Sequence, residues 1–348
     1  MGGMQVMRPA HGRKGLPPNN NAPRPRKAID SALANAHYKA MTKTKIAAAF
    51  GAAAAFLCIA AAAAAPLTVP FDYSRGAIGL DVTVKGTPLY MILDIGVDPS
   101  AIDVKRADAL GLPVQRGAGG EASGEGDAVR AQIFPATIAD LAMAGHGFGA
   151  VDAAAMDMSA LSARYGRKLD GVLGYSFLST RIVLIDYPHN TLSILASAAD
   201  AMPSVQGCRT RYSVALRSFE GDQIPVIGEF RLGAATVPIS LDTGSNKGIA
   251  LFQGALAVPG MRGALTENGA IQSTGARGDT AMKTYVLNAP VGFGPFSLPA
   301  GQVVVASAQA GSADTRLANI GNRLFAAMKL KMLLDYRAHQ MTFYGDCR

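Results

Sequence analysis

Histidine and cysteine are scarce: the 348-residue chain has five of the first and three of the second. Beyond residue 65 the histidines are His146, His189 and His339, and none is spaced with another ligand as a metal site requires. No metal and no cofactor is therefore expected. A Gly-x-Ser-x-Gly elbow and a Gly-x-x-x-x-Gly-Lys loop are also lacking, so serine hydrolysis and phosphate binding are without their usual parts. Gly145-His146-Gly147-Phe148-Gly149 has the spacing of a dinucleotide loop but not its strand, helix and acidic follower, and reads as a hairpin turn. A charge surplus on the folded part is missing as well. Residues 1–65 hold nine Lys/Arg and one acid, Asp30, so the remaining 33 − 9 = 24 bases and 25 − 1 = 24 acids cancel. Nucleic acid needs a basic face to neutralise its phosphates and is not expected as a partner.

The early charge has a different explanation. Residues 1–40, with Pro17-Pro18-Asn19-Asn20-Asn21 and Pro23-Arg24-Pro25-Arg26, show no apolar period and read as a disordered basic leader, or as sequence upstream of a true start at Met41. Lys43 and Lys45 then precede an uncharged run from Ile46 to Ala65 that ends in Ala-x-Ala choices, the form of a secretory signal cleaved after Ala64. The protein is expected to be exported, periplasmic or secreted. Stable membrane association is expected only if the segment is left uncut as an anchor. Cys58 falls within the signal; Cys208 and Cys347 meet an oxidising compartment, where they bridge or remain two separate thiols.

The exported part repeats itself. Leu80-Asp81-Val82-Thr83-Val84, a turn at Lys85-Gly86 and Leu89-Tyr90-Met91-Ile92-Leu93-Asp94-Ile95-Gly96 are matched by Gly228-Glu229-Phe230-Arg231-Leu232, a turn at Gly233 and Val237-Pro238-Ile239-Ser240-Leu241-Asp242-Thr243-Gly244. Both are alternating strands about a glycine turn, hence hairpins running into Asp-x-Gly. Gly171-Val172-Leu173-Gly174 and Ala318-Asn319-Ile320-Gly321 follow, read as apolar runs ending in glycine, each before a helix-like stretch and two closing strands. The offsets 242 − 94 = 148, 321 − 174 = 147 and 335 − 186 = 149 hold one register. Two all-β, barrel-like lobes, 66–203 and 204–348, are expected about a pseudo-two-fold axis with a cleft between them. Such an axis brings Asp94 and Asp242 together.

In these elements the chain resembles the pepsin and retropepsin superfamily of aspartic peptidases, most closely its bacterial two-lobed, retropepsin-like members. The resemblance covers residues 68 to 345. It implies a peptide or protein substrate, Asp94 and Asp242 as the catalytic pair, and Gly96, Thr243, Gly244 and Ser245 as its support. It also implies a flap over the substrate, for which Gly119, Gly120 and Gly124 suit the first lobe and Ser273–Gly278 the second. The family's Thr reaches across to the opposite loop, and the residue after its glycine hydrogen-bonds the carboxylate. Thr243 and Ser245 keep those groups; Ile95 and Val97 cannot donate. The resemblance thus implies an unequal dyad, Asp94 the acid and Asp242 the base. The same departure leaves a second reading open, a degenerate cleft that binds extended peptides without cutting them. Apolar subsites are expected on either side of the scissile bond.

Overall fold

The computed structural model describes residues 4–6, 66–125, 131–217, 224–312 and 315–348. The signal segment, 41–65, lies outside these residues, as does all of the leader except the strand Met4–Val6.

Each half opens on the expected hairpin. Ile78–Val84 and Thr87–Leu93 turn through Lys85 and Gly86, both at positive φ (49° and 76°), a backbone twist that matches the flanking strands. Val226–Leu232 and Ala235–Asp242 turn at Gly233, φ 67°. The second strand of each hairpin is buried almost throughout, because it lies inside a sheet and is covered on both faces. Beside it runs a short parallel strand, Gly171–Leu173 in the first half and Ala318–Gly321 in the second.

In the first lobe six strands close on themselves. Their order is Gln132–Met143, Ile78–Val84, Thr87–Leu93, Gly171–Leu173, Ser100–Asp103, His146–Met156 and back to Gln132–Met143, which leaves no free edge. Gly120–Gly124 extends from this barrel along Gln132–Met143, and Met4–Val6 pairs with its far side. The second lobe is a nine-stranded sheet running from the hairpin Leu265–Gly275/Gly278–Leu287 to Phe296–Leu298. The two-lobed all-β architecture is as the repeat predicts.

The closing strands of each half leave their own lobe and pair with each other. Ile182–Asp186 lies antiparallel to Lys331–Asp335, with Leu184 opposite Leu333, at the centre of a six-stranded sheet drawn from both halves. The sheet's outer strand Cys208–Ala215 alternates between half-buried and exposed residues, as an edge should, whereas Ile182–Asp186 is buried at every position. At its end Lys331 Nζ meets Asp186 at 2.8 Å, both buried. Cys208 sits opposite Cys347 and is disulfide-bonded to it, tying the edge strand to the chain's last strand. Phe177, Phe230, Phe325 and Phe343 belong to one apolar cluster that runs through both lobes and this sheet.

Candidate active site

Asp94 follows the last residue of one buried hairpin strand and Asp242 is the last residue of the other, so the fold delivers both carboxyls to the line where the lobes meet. They are 2 % and 1 % exposed and close enough for the charge of one to act on the other. Gly244 permits the approach: a Cβ there would lie 2.0 Å from Asp94 Oδ2. The amide N–H of Gly96 donates to Asp94 Oδ1 at 2.7 Å.

The repeat offset reappears as contacts. Thr243, 148 residues on from Ile95, accepts from the Ile95 amide at 3.0 Å and donates to the Leu93 carbonyl at 3.0 Å. The tie runs one way, since Ile95 carries no hydroxyl to return it; Ile95 and Val97 are both fully buried apolar residues. Ser245 departs from the expectation in its atoms. Its backbone N–H donates to Asp242 Oδ1 at 2.8 Å, while its hydroxyl accepts from the Lys247 amide at 3.3 Å.

The two carboxyls therefore have unequal surroundings. Burial first, and then the Asp242 charge, hold the Asp94 pKa well above the ordinary carboxylate value, against the Gly96 and Gly244 amides. Burial also raises that of Asp242, but the Asn319 side chain, the Lys247 charge and the Ser245 amide all oppose it. Asn319 Nδ2 donates to Asp242 Oδ2 at 2.6 Å. The matching position in the first lobe is Val172, which has nothing to donate.

Strands on both sides reach over this pair. Gly119 precedes the strand Gly120–Gly124, whose two ends are Gly120 and Gly124; Glu125 follows, and the remainder of the tip, 126–130, lies outside the described residues. In the second lobe Gly275 pairs with Gly278 at the tip of the other hairpin. The two tips touch. The Arg277 amide donates to the Glu125 carbonyl at 3.0 Å, and a Cβ on Gly275 would lie 2.3 Å from that same oxygen. The Ser273 hydroxyl donates to the Glu125 carboxylate, again across 148 residues. Lys247 Nζ, on the Asp242 loop, meets both Glu125 oxygens at 2.6 and 2.8 Å, with both side chains buried. The residue after the first-lobe strand Gly120–Gly124 and the second-lobe loop that carries Asp242 are thus joined by an ion pair.

Beneath them a cavity of ≈20 Å³ opens beside Gly96 and Asp242 and is lined also by Asn319, Gln309, Arg316 and Phe252. That is room for about one water molecule among polar groups. The lining is more polar than the apolar subsites expected from the sequence. Among the described residues no group of three or more His, Cys, Asp or Glu is placed to hold a metal ion, and no helix is long and apolar enough to cross a membrane.

Sequence reasoning missed Asn319, Lys247 and Glu125. Asn319 was read as part of an apolar run; a position-by-position comparison with Val172 marks it as a polar residue in an apolar slot. Residues 80–177, from the first hairpin through the helix Tyr175–Leu178, match the family model described as aspartyl protease. The match supports the retropepsin-like aspartyl protease family for this chain. No curated protein matches it.

Proposed function

We propose that this chain acts as a retropepsin-like aspartyl protease in which Asp94 and Asp242 hydrolyse peptide bonds by activating a water held between them. The observation that supports this is the buried, adjacent pair in which Asp94 has backbone amides alone while Asp242 has the Asn319 side chain and the Lys247 charge beside its backbone donor. Two carboxyls so close share one proton, a behaviour for which aspartic proteases are themselves the standard example. Asp242, held by the Ser245 amide and Asn319, carries the negative charge. Asp94, buried with fewer compensating groups, keeps the proton.

The steps follow. Asp242 takes a proton from the water as its oxygen attacks the scissile carbonyl, and Asp94 donates a hydrogen bond to the carbonyl oxygen as it becomes tetrahedral. Collapse of the intermediate breaks the C–N bond, with the proton gained by Asp242 passing to the leaving amine. The flap strand Gly120–Gly124, hinged at Gly119, would move to admit an extended peptide. The disulfide suits an oxidising compartment, in keeping with export of the chain.

The test is incubation of the purified chain with a mixed peptide library from acid to neutral pH, beside Asp242→Asn. Cleavage in the parent that disappears in the variant supports the peptidase. Peptide binding with no cleavage at any pH sinks it and leaves a binding cleft.

A further inference from the structure

At one register pair beside the dyad the two lobes differ in polarity. In the first lobe Ile92 stands beside Val172, both apolar and buried. In the second the same pair is Ser240 beside Asn319. These two polar groups do not simply satisfy each other. Ser240 Oγ accepts from Arg316 Nη1 at 3.1 Å and donates to Asn319 Oδ1 at 2.9 Å; Asn319 Nδ2 then donates to Asp242 Oδ2 at 2.6 Å.

The direction of this chain is fixed by its first member. A guanidinium can only donate, so the Ser240 hydroxyl proton points away from Arg316; its two acceptors there are Asn319 Oδ1 at 2.9 Å and the Ala318 carbonyl at 3.4 Å, and the shorter bond is to Asn319. That sets the amide the right way round and points its NH₂ at the carboxylate. Donors aligned in series polarise one another, and their terminus favours an acceptor that is charged. We propose that Arg316, Ser240 and Asn319 form a one-way donor chain that holds Asp242 in its ionised form, with Asn319 as the positioning residue that completes the base. This rests on the peptidase reading for its consequence in catalysis, but its claim about the Asp242 charge stands on the geometry alone.

The other charged groups facing Asp242 are accounted for. Asp94 faces it from the first lobe, and Lys247 acts on it from its own loop, but the ammonium is shared with Glu125 of the flap. Arg316 stacks its guanidinium over Phe252 at 5.3 Å, and its Nη1 is linked to Asp242 through Ser240 and Asn319. The polar link that distinguishes the second lobe from the first therefore passes through Asn319.

The test uses Asn319→Val, which installs the residue of the equivalent first-lobe position, and Ser240→Ala, which frees the amide to turn. In the purified protein the pH at which kcat/KM falls on the acid side is expected to rise by about one unit in Asn319→Val, a tenfold change in ionisation constant. It should rise by less, in the same direction, in Ser240→Ala. A uniform fall in rate with no movement of the acid limb overturns the proposal, as does a shift in neither variant. If the parent protein cleaves no peptide, titration of the aspartate side-chain carboxyl carbons by NMR still decides. The resonance that vanishes in Asp242→Asn must titrate at higher pH in Asn319→Val; if it stays in place the donor chain is refuted, and if it moves only the peptidase reading has failed.

Discussion

Thr243→Val removes the tie between the lobes at the dyad without changing the size of the side chain. Thr243 is fully buried and makes two hydrogen bonds, accepting from Ile95 and donating to Leu93, both at 3.0 Å. Valine can make neither, and both backbone groups are left short of a partner in a dry place. An abandoned buried polar group costs about 1–3 kcal/mol, so the pair should cost about 2–6 kcal/mol. For a protein of this size that is a fall of about 4–24 °C in Tm. Thr243→Ser is the control: it keeps the hydroxyl and deletes one methyl, at about 1 kcal/mol. Thermal unfolding followed by circular dichroism reads both. Cleavage by the valine variant should also fall about a hundredfold, because Asp94 and Asp242 lose the bond that sets their spacing. A valine variant within about 2 °C of the parent, or a serine variant equally damaged, would refute the reasoning.

Three further outcomes are expected. Replacing both Cys208 and Cys347 by alanine opens a loop spanning 139 residues and should lower stability by about 5 kcal/mol on the chain-entropy relation; a loss under about 1 kcal/mol in urea unfolding would contradict the constraint. Asp94 has a folded pKa above its ordinary 3.8, so the stability it contributes is complete below that value and is lost as pH rises through the folded one. Asp94→Asn, which does not titrate, should therefore gain in Tm over the parent between about pH 3 and pH 7, and a difference that ignores pH would be the wrong result. Glu125→Gln leaves buried Lys247 without its counter-charge, so the flap should open to let water reach the ammonium. Amide exchange in Gly120–Gly124 should quicken about tenfold or more, and unchanged exchange would mean the ion pair does not hold the flap.

The plan of the fold could be read because it is local and repeated. Lys85-Gly86 and Gly233 mark the turns, the strands after them are apolar, and Asp94 and Asp242 fall at the same register. The partners of the closing strands could not be read this way. Ile182–Asp186 and Lys331–Asp335 have the apolar pattern of buried strands, which says that they are covered and not which strand lies beside them. The carboxyl pair was legible, but much of what makes it unequal was not. Ile95 and Val97 were visible as missing donors. Asn319 was hidden inside a run taken as apolar and Ser240 inside a strand read as alternating, and the Glu125–Lys247 pair joins residues 122 apart that no spacing rule connects. The Ser245 amide shows a further limit. Residue type suggested the hydroxyl, and the turn geometry gave the contact to the backbone N–H instead.

The catalytic proposal turns on where one proton rests. A neutron diffraction structure of the protein in deuterated buffer, at the pH of its greatest activity, would show that position directly. The deuteron is expected on Asp94, with Asp242 bare and accepting from the Ser245 amide and Asn319. A deuteron on Asp242, with Asp94 ionised, would contradict the assignment of acid and base and the donor chain with it.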